Sequence, residues 1–290
     1  MRLWLKFNLV MIIAFTVGLA AAAWFSRGIA EATARAQVLH EASLLMQQAT
    51  SVRGYTAAEI EPLLAEQSAQ RFLPHTVPSW AAQQVVRTLQ RNFPDYDYKE
   101  AALNPTNPAD RATDWEADII SFFRRDTAAR EHIGERQTPN GPVLTFSRPF
   151  RITNEACLTC HSTPAAAPVP MVELYGPNNG FGWHMGEVIG AQIVSVPMSL
   201  PLGRAAQQLE ALLISLGAVF LAMLVLMNVL LHVVVIKPIR GMTASAEKIA
   251  AGDFSEPEFT AAGRDEIASL ARSFNLMRRS LANAMKLLDA

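Results

Sequence analysis

Cysteine occurs twice in this 290-residue chain, at Cys157 and Cys160, and His161 follows the second directly. The run NEACLTCHSTP, residues 154–164, therefore gathers two thiols and an imidazole within five positions. Four chemistries can use such a group. A disulfide across two intervening residues closes a very small loop and stabilises little. A structural zinc ion wants four ligands, and there is no second cysteine pair to supply them. A thioredoxin-like redox pair would more naturally hold its histidine between the cysteines than after them. In covalent haem attachment, two thiols at this spacing form thioethers to the haem vinyl groups, and the adjacent histidine reaches the iron as proximal ligand. Only this last chemistry gives every residue of the run a task. One haem c, carried by Cys157, Cys160 and His161, is the expected cofactor.

Haem c forms outside the cytoplasm, so the elements around the motif must place it there. The net charge is −1 and charged residues are 18%, with no dense Lys/Arg block, which argues against a nucleic-acid surface. A mean hydropathy of +0.15 comes from two uncharged runs, FNLVMIIAFTVGLAAAAWFS (7–26) and ALLISLGAVFLAMLVLMNVLLHVVVI (211–236). A bilayer core of about 30 Å needs roughly 20 helical residues, so both can span it. The first is expected as a retained anchor, although the small residues before Trp24 would also suit signal-peptide cleavage. Arg2 and Lys6 precede the first run, and Lys237, Arg240 and Lys248 follow the second, which puts both termini in the cytoplasm. The expected division is 1–27, first membrane helix; 28–208, a domain outside the cytoplasm; 209–236, second membrane helix; 237–290, cytoplasmic tail.

Within 28–208 the spacing predicts helices over 28–55, 79–93 and 113–126. A Pro- and Asn-rich loop is expected at 94–112. β-Branched runs bounded by Gly and Pro predict strands at 141–152 and 186–198. Helices before a small sheet make an α+β domain. The cysteine pair would sit on the loop after the first strand. On the far side of the iron, Met46 is the first candidate ligand and His40 the second, with His184 or Met185 beside the GFGW string as further candidates. An open or water-filled position is the remaining arrangement and would suit a gas sensor.

The strings VRGYTAAEIEPLL, VPSWAAQQVV, YDYKEAALNPTNPADRATDWEADIISFF, EACLTCHSTPAAAP and YGPNNGFGWHMGEVIGAQIVSVPM resemble, in this order, a bacterial single-haem c sensor domain with a PAS-like fold. The resemblance covers about residues 40–200. It implies haem c on Cys157, Cys160 and His161, a PAS-like sheet, a periplasmic location and a role in redox or ligand sensing. Some relatives supply a cysteine as sixth iron ligand, and this chain has no third cysteine to play that part. The same resemblance suggests a haem propionate as one partner for Arg148, with an exposed arginine on the strand before the haem loop as the equal alternative. It also suggests Tyr96, Tyr98, Lys99, Asn104 and Asn107, whose types fit hydrogen bonding, as residues that could order the long loop over the haem edge.

After Ile236, two heptad-like seams run through Ile239, Met242, Ala246 and Ile249, and then through Ile267, Leu270, Phe274, Met277, Leu281, Ala284 and Leu288. Gly252, Pro257 and Gly263 keep the connector between them extended. The tail resembles the HAMP linker of transmembrane receptors through Pro238, Gly252-Asp253 and Asp265-Glu266-Ile267, which implies a parallel homodimeric bundle. No kinase, cyclase or chemoreceptor signature precedes Ala290, so the chain is not expected to be an enzyme. Its output is expected on a separate cytoplasmic protein, unless the receptor is a shortened one. The reading is an inner-membrane haem c sensor of redox state or a small ligand; the alternative is a membrane-anchored c-type cytochrome that only carries electrons.

Overall fold

The computed structural model describes residues 3–260 and 263–288; Arg2 and the side chain of Leu288, both used above, lie outside them. The chain divides into two compact units, residues 26–209 and residues 1–25 with 210–290.

In chain order the elements are α1 (Leu3–Tyr55), α2 (Glu61–Leu63), α3 (Ala65–Gln70), α4 (Pro78–Gln90), β1 (Asp97–Ala102) and α5 (Asp114–Arg125). Then follow β2 (His132–Thr138), β3 (Gly141–Arg151), α6 (Ala156–His161), α7 (Val169–Tyr175), β4 (Val188–Pro197), α8 (Ser199–Leu230), α9 (Lys237–Ala250) and α10 (Glu266–Leu288). Two wider, π-helical turns interrupt the helices at Thr56–Ile60 and Leu231–Ile236, each just before a proline, Pro62 or Pro238. A proline excludes the bond to the carbonyl four residues back, here that of Ala58 or Val234. The wider turn is where each helix accommodates the loss.

The unit of residues 26–209 is built on one antiparallel sheet of order β1-β4-β3-β2. β4 is central and covered on both sides, which is why VIGAQIVSVP reads as an almost unbroken apolar run. One face receives a helical stripe of α1, Val38, Ala42, Leu45, Met46 and Ala49, together with Ala82 and Val86 of α4. These pack on Tyr98, Leu144, Phe146, Val194 and Val196 of the sheet. The opposite face takes Ile119, Ile120 and Phe123 of α5 against Ala101, Ala191 and Ile193. Burying each large side chain contributes about 1.5–3 kcal/mol. At the start of α5, the Thr113 amide donates to Glu116 Oε2 at 2.7 Å, satisfying a donor that the helix leaves free.

The expected helices at 79–93 and 113–126 and the strands at 141–152 and 186–198 are present. The α+β class holds. Two strands were not expected: β1 lies inside the predicted loop 94–112, and β2 is an edge strand with alternating exposure. The cysteines stand on the short helix α6, not on a loop.

In the other unit, α1 and α8 each contain a stretch long and apolar enough to cross a membrane. Asn8 and Asn228 exchange two side-chain hydrogen bonds at 2.8 Å, and Phe15 stacks on Phe220 with centroids 3.6 Å apart. In the tail, Met242 and Ile249 of α9 and Ala268 and Ala271 of α10 are buried. The Asn275 side chain clasps the connector, donating to the Phe259 carbonyl at 2.9 Å and accepting from its amide at 3.1 Å.

Candidate functional site

One face of the sheet is only partly covered by α1 and α4. Beyond their contact, Glu100 and Ala102 of β1 and Phe150 of β3 form one wall of a cavity of about 720 Å³. α1 contributes Thr50, Arg53 and Gly54 to another wall, three positions on one helical face, and the π turn adds Ala57. α6 brings Cys157, Cys160 and His161 to the same space.

The Asn154 side chain accepts from the Ala156 amide at 3.0 Å and so starts α6. Three positions apart on a helix, Cys157 and Cys160 share a face. Both are half-buried free thiols. Burial first, then the nearby Glu61 carboxylate, pushes the Cys160 thiol above its ordinary value.

His161 is held on its other side. Its Nδ1 lies 2.7 Å from the Gly180 carbonyl and 3.4 Å from Thr106 Oγ1, and its ring stacks on Trp183 with centroids 3.7 Å apart and planes at 14°. A carbonyl oxygen can only accept, so Nδ1 carries the proton and donates it. Nε2 is left with a lone pair. Burial pulls the imidazole below its ordinary value, against the opposing effect of the Gly180 bond, which keeps the ring neutral and able to ligate.

A polar network runs through the cavity wall. Arg53 is ion-paired with Glu100, whose side chain is 2% exposed, and its guanidinium lies 4.7 Å from the Phe150 ring centre. Tyr98 donates to Glu100 Oε1 at 2.7 Å, and Gln192 donates to the Tyr98 oxygen at 3.1 Å. Burial first, then the Glu100 charge, holds the Tyr98 hydroxyl protonated far above its ordinary range. Two further groups in the cavity wall, Ser68 Oγ and Asp110 Oδ1, are buried without a hydrogen-bond partner. Burial pushes the Asp110 carboxyl up; Gln83 opposes this, Glu100 adds to it, and Arg87 and Lys99 oppose it.

The remaining expected site residues go elsewhere. Met46 is fully buried between α1 and the sheet, where its helical stripe packs on β3 and β4, and it does not line the cavity. His40 is exposed on α1, and the His184 side chain is 84% exposed beside Glu187. Met185 is also exposed. Arg148 is drawn to Glu131 at 2.8 Å and stays off the cavity lining. Of the loop residues, Asn107 lines the cavity and accepts from the Ala109 amide, whereas Tyr96 donates to Glu41 and Lys99 pairs with Glu116. Sequence reasoning missed Arg53, Glu100 and Asp110, since an isolated charge in a polar stretch gives no sign that it faces inward. Nor does the GFGW string reveal that Trp183 stacks on His161.

Among curated proteins, none matches the chain. A solved structure described as that of the cyanobacterial heme-protein Tll0287 is similar over 55% of this chain and 94% of its own length, at 15% identity and a TM-score of 0.43. Residues 231–283 match the HAMP domain family. Residues 31–197, more than half of the chain and the whole cavity-bearing sheet, match the family described as Tll0287-like, and the chain belongs to that family.

Proposed function

We propose that the protein is a two-pass inner-membrane sensor in which residues 28–208, on the periplasmic side, hold one haem c. A redox or small-ligand signal there would pass through the HAMP domain to a separate cytoplasmic partner. The observation that carries this reading is the C-x-x-C-H helix on the wall of a large cavity, with the histidine's second nitrogen already occupied. The residues fit the group. The two thiols share a face for addition across two vinyl groups, each addition forming a carbon–sulfur bond and moving the thiol hydrogen to the neighbouring carbon. Nε2 of His161 is free for iron, and Ser68 Oγ and Asp110 Oδ1 are polar atoms still lacking partners at the same cavity. When bound, the haem would supply one-electron chemistry and a coordination position for a small ligand.

The protein's own residues then have defined tasks. Cys157 and Cys160 tether, His161 ligates, and the Arg53–Glu100 pair sets a fixed charge pattern along one wall. Met46 and His40, the candidates for the far side of the iron, are not at the cavity; the methionine that lines it is Met171 of α7. The propionate role given to Arg148 passes more readily to Arg87, an exposed cavity-lining arginine on α4. Two membrane helices, with Lys6 before the first and Lys237 and Arg240 after the second, support the two-pass orientation. Leu270, Met277 and Leu281 of the HAMP seam are exposed in a single chain, as a parallel homodimer requires. HAMP packing supplies the bistable element that signalling needs.

The test is expression with the cytochrome c maturation machinery, followed by haem staining on a denaturing gel. Stain that survives denaturation and vanishes in Cys157→Ala/Cys160→Ala is the expected result. A chain that matures correctly yet carries no stain would return the cysteines to thiol–disulfide chemistry.

A further inference from the structure

The geometry points to Gly180 and Trp183 as positioning residues for His161, holding its ring in one tautomer and one plane so that only Nε2 is offered to a metal. The inference rests on the haem reading and names residues that reading does not need. Gly180 stands at φ +80°, and a Cβ there would fall 1.9 Å from Thr106 Oγ1 and 2.8 Å from Thr106 Cα. Only glycine lets this carbonyl come within 2.7 Å of Nδ1 while the loop around Thr106 closes over it. The segment is fastened to the histidine's own helix at two further points. The Gly182 amide donates to the Ser162 carbonyl at 2.9 Å, and the Trp183 amide to the His161 carbonyl at 3.2 Å. A third bond, from the Gly186 amide to the Ile152 carbonyl at 2.8 Å, anchors the far end of the loop to the end of β3. The Trp183 indole, parallel to the imidazole, then blocks rotation of the ring about its Cβ–Cγ bond.

Such partners of a ligating histidine fix its tautomer, raise the basicity of the coordinating nitrogen and typically alter metal affinity 10–100-fold when lost. A more basic Nε2 favours ferric over ferrous iron, because the higher charge gains more from a stronger donor. Losing the Gly180 bond should therefore raise the midpoint potential.

The test uses the full chain in lipid nanodiscs, where the cysteine thioethers keep the haem attached in every variant. Gly180→Ala should reduce the ferric preference about tenfold, an upward shift of about 59 mV for a one-electron couple. Trp183→Ala should spread the ferric EPR signal over several ring orientations, and Trp183→Phe should restore a single one. Wild-type midpoint and EPR spectrum in both Gly180→Ala and Trp183→Ala would overturn the inference, as would failure of Trp183→Phe to differ from Trp183→Ala. A second readout needs no haem. In ¹⁵N-histidine-labelled Cys157→Ala/Cys160→Ala protein, His161 should be protonated at Nδ1 alone, and Gly180→Ala should give a mixture of tautomers. A proton on Nε2 in the parent would also overturn it. Absence of haem stain in the wild-type chain would sink the haem reading, while the NMR result would still judge the clamp.

Discussion

The cavity-bearing unit satisfies its apolar groups within one chain, and the HAMP helices do not. Ile120 and Phe123 of α5 are 0% exposed, packed on their own sheet, whereas Leu270, Met277 and Leu281 of α10 are 49%, 55% and 45% exposed. Both sets arise from the same helical periodicity. What separates them is the partner: α5 has a sheet beside it, and α10 has only α9 and a connector. A single chain can thus bury the helix face of the cavity-bearing unit, while the α10 seam stays exposed within one chain. The same periodic signal in a sequence marks a buried core in one place and an exposed apolar seam in the other.

The sharpest way to break this contrast is to truncate one member of each set. Phe123→Ala should cost the cavity-bearing unit about 3–5 kcal/mol and lower its thermal unfolding midpoint. Leu281→Ala should leave that midpoint unchanged and instead shift the population from dimer to monomer, read by light scattering in detergent. Equal thermal losses in the two variants would erase the distinction. Next in size, Arg53→Met leaves Glu100 charged and buried in the cavity wall, at a cost of about 3 kcal/mol in chemical denaturation. Adding Glu100→Gln should recover most of that loss; no recovery would mean that Arg53 acts by packing on Phe150 instead of through charge.

The smallest effect concerns pH. The folded carboxyl of Asp110 is raised above its unfolded value of about 3.9, so the folded state holds the proton more tightly. That contribution is complete below about pH 4 and is lost as pH rises through the folded value. In the haem-free Cys157→Ala/Cys160→Ala chain, Asp110→Asn should flatten the decline of stability across this window. An unchanged slope would show that the carboxyl is already solvated.

The legible parts of the molecule were those with a strong local pattern. The C-x-x-C-H run, the two apolar spans and the apolar runs of β3 and β4 each announce themselves over a few residues. β1 did not, because its inward positions include Glu100, a charge that is stable there only through Arg53 and Tyr98, residues fixed by tertiary contact. β2 alternates in exposure along HIGERQT, but its polar composition hides the period. α6, six residues long, is too short for any periodicity to register. Met46 shows the limit from the other side. A methionine on a helical stripe looks the same whether it meets a sheet or a metal, and only the position of β3 and β4 decides.

The wide turn at Leu231–Ile236 has a consequence for the tail. An α-helix advances about 100° per residue, and a π turn takes in roughly one residue more than an α turn. The apolar stripe of α9 is therefore rotated by about 100° from the heading an uninterrupted α8 would give it. The segment before Pro238 acts as a phase setting, in which the count of residues between Leu231 and Ile236 determines the compass bearing of Met242 and Ile249.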